Sequence, residues 1–403
     1  MLSTVKRCVP IACLVLLIIA QNVGADLVSE EAIKLLANRL DQSQEKEGPN
    51  KGLWLPDVLF AGPMTAGMVC AYESTGDPNY WAAADLAGYY ILWFSDPHGN
   101  LLGDEVYAFV QLSENSENPL ENVWRSALEA WYFSMRRPDY EESTRGYIQY
   151  FEEMEVSTAV FYIAQHMIGA YYVDDIDKGV WREALIEYLS YVDDESAFPI
   201  MALGVATWAL ATTEPLDDTP IDGDYFSAPY WDGVVLSDLP EILASHQVPD
   251  GEPFAGSFYW RYDHTSGDTE GVVAGYTEDA IYGTLGLFAA AERAREAIDP
   301  NVVDPNAIDP NAVDAAMAWD VAVTAGREAL LQGIDEEGVV FEHLSLAGQT
   351  HYAYAGEMLQ VLCHIERYLD PDVEEDEGSV DVVDPDVEEE PNSDEQDDNS
   401  EST

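Results

Sequence analysis

His246 to Ala291 reads HQVPDGEPFAGSFYWRYDHTSGDTEGVVAGYTEDAIYGTLGLFAAA, and the fold is decided by how this stretch is parsed. A helix ends near His246, and Pro249, Asp250 and Gly251 supply a turn, since proline presets one backbone angle and glycine accepts the other. Phe258 to Tyr262 then set four aromatics around Arg261. A second helix follows, with Thr277 as its expected cap and Glu278 and Asp279 in its first turn, where the helix dipole favours acids. The whole is one unit of helix, turn, short aromatic ribbon and small-residue helix.

Three other stretches share that order: LWFSDPHGNLLGDEVYAFVQL, EYLSYVDDESAFPIMALGVATWAL and LLQGIDEEGVVFEHLSLAGQTHYAYAGEMLQVL. Between them the apolar spacing predicts further helices, among them Ser29 to Gln44, Leu120 to Met135 and Val156 to Tyr172. In the last, Val160, Ala164, Met167 and Tyr171 recur at helical intervals. Gly204, Gly283, Gly286 and Gly356 fall inside expected helices, each costing about 1 kcal/mol relative to Ala, so close backbone packing is the expected return. The pattern amounts to an all-α chain of about six helical hairpins.

Met1 to Ala25 has a basic start at Lys6 and Arg7, an apolar run too short to span a bilayer and a small-residue end at Val23-Gly24-Ala25, the pattern of a secretory signal. Residues 26–369 then form one domain, and the protein is expected to be secreted or extracytoplasmic and not integral to the membrane. DPNVVDPNAIDPNAVD, from Asp299 to Asp314, reads as a low-complexity insert, and 370–403 as an acidic, disordered tail. The chain carries 77 acids against 17 Lys and Arg, a formal charge of −60. The tail holds only part of that excess, so the folded body is itself strongly acidic and repels nucleic acid and other polyanions. Cys70 and Cys363 are the two cysteines left after the signal and allow at most one disulfide.

At DGEPFAGSFYW and YTEDAIYGTLGLFAAA the chain resembles the prenyltransferase and squalene-cyclase-like α/α toroid superfamily, with Gln247, Asp250, Gly251, Phe258 and Ala280 in the family order. The resemblance implies an α/α toroid of six inner and six outer helices with a cleft at one end, much like the glycosidase toroids. The family's chemistry does not follow. The cyclase motif DxDD is absent, Asp174-Asp175-Ile176-Asp177 departs from it, and the zinc triad of the prenyltransferases has no match. A closed toroid also brings its first and last hairpins together, which makes a Cys70 to Cys363 disulfide the expected clasp; two separate buried thiols are the alternative.

In a toroid the loops before the inner helices line the cleft. Here they carry Tyr225, Tyr230, Trp231, Asp232, Tyr259, Trp260, Arg261, Asp263, His264, Glu278, Asp279, His351 and Tyr352. Aromatic faces beside carboxylates suit a neutral glycan, and glycoside cleavage needs one protonated and one ionised carboxyl. Asp263 and Glu278 are the expected catalytic pair, with Asp279 facing another way on its helix. Tyr259, Trp260, Arg261, His264, Trp231, Asp232 and Tyr352 are the expected substrate-binding residues. Phe258 and Trp260 also read as ordinary packing aromatics. No cofactor fingerprint, serine elbow or phosphate loop occurs, and no metal site is expected: Cys363 and His364 are adjacent in a helix and diverge. A noncatalytic toroid serving as an interaction or structural module is the alternative function.

Overall fold

The computed structural model describes residues 29–56, 61–94, 101–116, 122–135, 143–193, 195–223, 228–260, 273–297 and 310–369. Residues 1–28, 261–272, 298–309 and 370–403 lie outside them, and with them the expected signal, most of the expected 299–314 insert and the expected tail. In chain order the helices are α1 (Ser29–Ser43), α2 (Ala61–Thr75), α3 (Pro78–Phe94), α4 (Gly103–Glu114), α5 (Val123–Met135), α6 (Ser143–Ile148), α7 (Val156–Tyr172), α8 (Lys178–Leu189), α9 (Pro199–Thr213), α10 (Ala228–Trp231), α11 (Leu239–Ser245), α12 (Thr277–Ala297) and α13 (Pro310–Gln332). A hairpin of β1 (Phe341–His343) and β2 (Ala347–Thr350) precedes α14 (Tyr352–Leu369).

Among the described residues the contacts close a ring. α2 packs on α4, α4 on α7, α7 on α9, α9 on α12, α12 on α14 and α14 back on α2. Outside it, α3 covers α2, α5 covers α4, α8 covers α7, α11 and α13 cover α12, and α1 bridges α14 and α2. The chain is thus an α/α toroid in which inner and outer helices alternate.

Sequence explains which helices are inner. AGPMTAGMVCAYEST and PIMALGVATWALATT have no polar face, and every residue from Ala61 to Ala71 and from Pro199 to Ala211 is buried. A helix apolar all round must be enclosed on every side. α1 instead buries one stripe, Ala32, Ile33, Leu36, Ala37 and Leu40, as an outer helix should. α13 starts at Pro310, inside the stretch read as an insert; proline suits the first helical position, where its missing N–H is not needed.

The intrahelical glycines are contact points. A Cβ on Gly204 would stand 2.3 Å from the Tyr282 carbonyl oxygen, and one on Gly356 would stand 2.6 Å from the Met64 backbone. Only a residue without a side chain lets these backbones approach so closely. Phe258 is fully buried with its ring against Gly283, so it is a packing aromatic. Beside the ring, His166 is sandwiched between Trp131 and Trp181, centroids 4.9 and 4.8 Å away, and ties inner α7 to outer α5 and α8.

The loop that opened the sequence reading folds back on itself. Gln247 pairs with Phe258 and Tyr259 with Ala274, while the Gln247 side chain donates to Gly256 O and Ala322 O at 2.8 Å each, pinning the loop to α13. Thr277 is the first residue of α12, and its hydroxyl donates to Phe341 O at 2.6 Å. It therefore tethers the β-hairpin to α12 where the sequence suggested a cap.

Candidate active site

The N-terminal ends of the six inner helices meet at one end of the ring, around a cavity of about 320 Å³. Its wall takes Pro63 from α2, Asp104 from α4, Tyr162 from α7, Met201 from α9, Glu278 from α12 and Glu357 from α14. Phe161, Phe198, His351 and Tyr354 add aromatic surface. Helix N-termini carry partial positive charge, so six of them would by themselves favour an anion. Three carboxyl side chains in the wall oppose that preference wherever they ionise.

Close helix contacts place each carboxyl. A Cβ on Gly62 would lie 2.5 Å from the Asp104 carbonyl carbon, and one on Gly103 would lie 2.5 Å from Tyr162 O, so Asp104 is clamped between α2 and α7. Glu105 closes the turn by accepting the Leu102 N–H at 3.0 Å, and Asp104 accepts the Glu105 N–H at 3.1 Å. Glu357 follows Gly356, the residue pressed against α2. Glu278 sits beside the tethered β-hairpin, within reach of the charges of Glu342 and His351.

Burial dominates the electrostatics, because a carboxylate removed from water loses solvation. It pushes Asp104 up to about 7, against the pull of backbone hydrogen bonds from Glu105 and Asp104 itself. Glu105 is raised to about 8 by burial and then by the charge of Asp104. Glu278 reaches about 7 through burial and the Glu342 charge, with His351 opposing. Glu357 is pushed well above the usual carboxylate range by burial and Glu278, although the Tyr282 hydroxyl favours its ionised form. Asp104 and Glu278 are therefore both raised to about 7 in the wall of one cavity, a range suited to proton transfer near neutral pH.

Of the sequence-derived candidates, Glu278 and His351 line this cavity. Asp263, Arg261 and His264 lie outside the described residues. Trp231 is buried and its indole N–H donates to Val192 O at 3.0 Å, so it is a core residue and presents no face to a substrate. Asp232 beside it is exposed and away from the cavity wall. Tyr352 packs under the Arg39 guanidinium, 5.9 Å from its ring centroid; its neighbour two positions on, Tyr354, is the residue of this pair that lines the wall, because residues i and i+2 of a helix diverge. Tyr259 is half-buried in the ribbon. Trp260 is tilted against Tyr276 and bonds Ala197 O at 3.2 Å, next to the wall residue Phe198. Asp279 turns toward Met201 at the start of α9 and is fully enclosed.

Cys70 and Cys363 are buried free thiols here, so the expected clasp is not formed in this structure. They stand together on α2 and α14: contact with Cys363 and then burial raise the Cys70 thiol well above its ordinary value. Cys70 also bonds Gln360 O at 3.6 Å and receives Arg367 at 3.3 Å.

Asp104 and Glu357 were missed, and both left a trace in the sequence. Gly103-Asp104-Glu105 and Thr277-Glu278-Asp279 open inner helices in the same way, with an acid pair at the second and third positions. Superposing those repeats would have paired Asp104 with Glu278. Glu357 is a single acid within YAYAGEMLQVL, an otherwise acid-free helical run.

No family model and no curated protein matches the chain. Among solved structures, it is similar to an unsaturated glucuronyl hydrolase specific for heparin, at 10% identity and a TM-score of 0.48 over 85% of this chain and 97% of that one. It is also similar to an unsaturated glucuronyl hydrolase from a Bacillus species that degrades glycosaminoglycan, at 11% identity and 0.47 over 84% and 94%. An inactive variant of an α-1,6-mannanase from Salegentibacter, in complex with α-1,6-mannotetrose, is similar at 12% identity and 0.42 over 84% and 99%. These likenesses concern the course of the backbone, and the reading of the site rests on its own side chains.

Proposed function

We propose that the protein binds a neutral or cationic glycan in the cavity at the N-terminal end of the ring and cleaves a glycosidic bond there, outside the cytoplasm. The observation that carries this reading is the convergence of Asp104, Glu278 and Glu357, from three inner helices, on one aromatic-walled cavity, all raised toward or above neutrality. Phe161, Phe198 and Tyr354 offer flat surface for sugar rings.

The roles follow from what each carboxyl touches. Asp104 and Glu278 ionise over the same range, at about 7, and the charge of either helps to hold Glu357 protonated. Asp104 accepts a backbone N–H in the first turn of α4, which favours its anion. Glu278 has the negative charge of Glu342 beside it, which favours its acid. Glu278 then donates its proton to the glycosidic oxygen as the bond to the anomeric carbon breaks, and the Asp104 carboxylate stabilises the positive charge that develops there. A water adds to that carbon and gives up a proton that restores Glu278.

The test is reducing-end release from a panel of oligosaccharides by the purified protein. Glu278→Gln and Asp104→Asn should each lower turnover by a factor on the order of 10³ while binding is retained, as expected for groups acting mainly in the transition state. Parental turnover in both variants would refute the assignment. Oligosaccharide binding without cleavage by the parent would identify a noncatalytic binding toroid.

A further inference from the structure

The cavity continues along the ring axis into a recess of about 10 Å³, to which all six inner helices contribute. Asp104 and Glu357 stand at its mouth, Gln165 and Gln360 supply amides, and Tyr107, Trp208 and Tyr282 supply ring surface. Glu357 is 6% exposed and its Oε2 has no hydrogen-bond partner; Gln165 is 3% exposed and its Oε1 has none. Gln165 Oε1 is a buried acceptor without a donor, and Glu357 Oε2 becomes a second one when Glu357 ionises, so the recess suits a group that donates. Its volume fits one non-hydrogen atom with its protons, close to the space of a single water.

The choice of donor follows from charge. Neither the cavity nor the recess has a lysine or arginine in its wall, while Asp104, Glu278 and Glu357 are all acids. An anionic group therefore finds no cationic side chain to pair with in either wall. Among the described residues no cluster is arranged to hold a metal ion. A sugar hydroxyl donates one proton, whereas a primary ammonium donates three, matching Glu357 Oε2, Gln165 Oε1 and the Asp104 carboxylate. An ammonium also supplies the counter-charge that these buried acids need once they ionise.

We infer that the substrate is a saccharide carrying a protonated primary amine, an amino sugar, whose ammonium seats in the axial recess between Glu357, Gln165 and Asp104. This rests on reading the cavity as a glycan site. With the recess empty the acids keep their protons; a cation displaces them, so binding releases protons in step with the raised acidity constants of Asp104 and Glu357.

Calorimetry on the full protein at pH 6 and high salt tests this with three matched ligands: glucosamine oligomers, their N-acetylated counterparts and glucose oligomers. The expected result is one site per chain, at least about tenfold preference for the free amine over both counterparts, and an enthalpy that varies with buffer because protons are released. Glu357→Gln should bring that preference close to unity, and Gln165→Leu, which keeps every charge, should weaken it too. A polycation held only by the acidic surface would keep its preference in both variants, and that result overturns the inference. Equal binding of amine and neutral oligomers by the parent also overturns it while leaving the glycan reading intact. If no saccharide binds, both fall together.

Discussion

Gly67 of α2 and Gly356 of α14 face each other where the last inner helix closes on the first, and a Cβ on Gly67 would stand 2.4 Å from the Gly356 carbonyl oxygen. The contact seals the ring and positions the next residue, Glu357, at the cavity. Backbone meets backbone there, so a side chain has nowhere to turn. Gly67→Ala gains about 1 kcal/mol of helix propensity but overpacks the contact by about 1–3 kcal/mol. It should lower the urea midpoint, whereas Gly179→Ala in α8, with open space around it, should raise or maintain it. Equal midpoints for the two variants would mean that the ring closure is looser than described.

The pH dependence of turnover follows from the two carboxyls. Glu278 must be protonated and Asp104 ionised, and both lie at about 7, so kcat/KM should trace a narrow bell near neutrality. Glu342→Gln removes a negative charge that raises Glu278. The alkaline limb should then move to lower pH; an unmoved limb would assign it to another group.

Stability should rise as the solution is made mildly acidic. Asp104, Glu278 and Glu105 have folded values of about 7, 7 and 8, above those of the unfolded chain, so their contribution is complete below about pH 4 and is lost as pH rises through 7 and 8. His166 works in the opposite sense. Burial lowers it to about 3, so its contribution is complete above about pH 6.5 and is lost as pH falls toward 3. Each group contributes a slope of about 1.4 kcal/mol per pH unit where its folded and unfolded protonation differ, and between pH 5 and 6.5 the carboxyls outnumber the histidine. Tm should therefore be higher at pH 5 than at pH 8, with the difference reduced in Asp104→Asn and Glu105→Gln. A Tm independent of pH over that interval would contradict these assignments.

Cys70 and Cys363, buried together near the C-terminal ends of α2 and α14, should oxidise to a disulfide if the chain is exported. Thiol titration of the unfolded, unreduced protein is expected to find no free thiol. Reduction should then cost about 2–4 kcal/mol of stability. Two free thiols in the exported protein would leave the ring without a covalent clasp.

The architecture was legible because it is written in local periodicity. The inner helices declare themselves as runs such as PIMALGVATWALATT without a polar face, and the outer ones as single stripes such as Ile33, Leu36 and Leu40. Intrahelical glycines mark the close crossings in the sequence itself, since a helix keeps a residue that costs it stability where backbones must touch. Glu278 was legible for a related reason: it opens a helix after a turn, and in a toroid that position faces the cleft.

The rest of the site was decided by tertiary structure. Asp104 and Glu278 open equivalent inner helices, but they lie far apart in sequence, and only closure of α14 on α2 sets them around the same axis. The same closure buries Glu357 and raises its acidity constant, a property of the surroundings that no residue type carries by itself. Trp231 and Tyr352 show the converse. Each is an aromatic of the kind that stacks on sugars, yet Trp231 is buried and bonds Val192 O, and Tyr352 is half-buried under Arg39. Sequence determined which segments are helices and which faces are buried, because those depend on neighbours a few residues apart. Which acids share a cavity depends on where six helices end in space, and that was decided only by their packing.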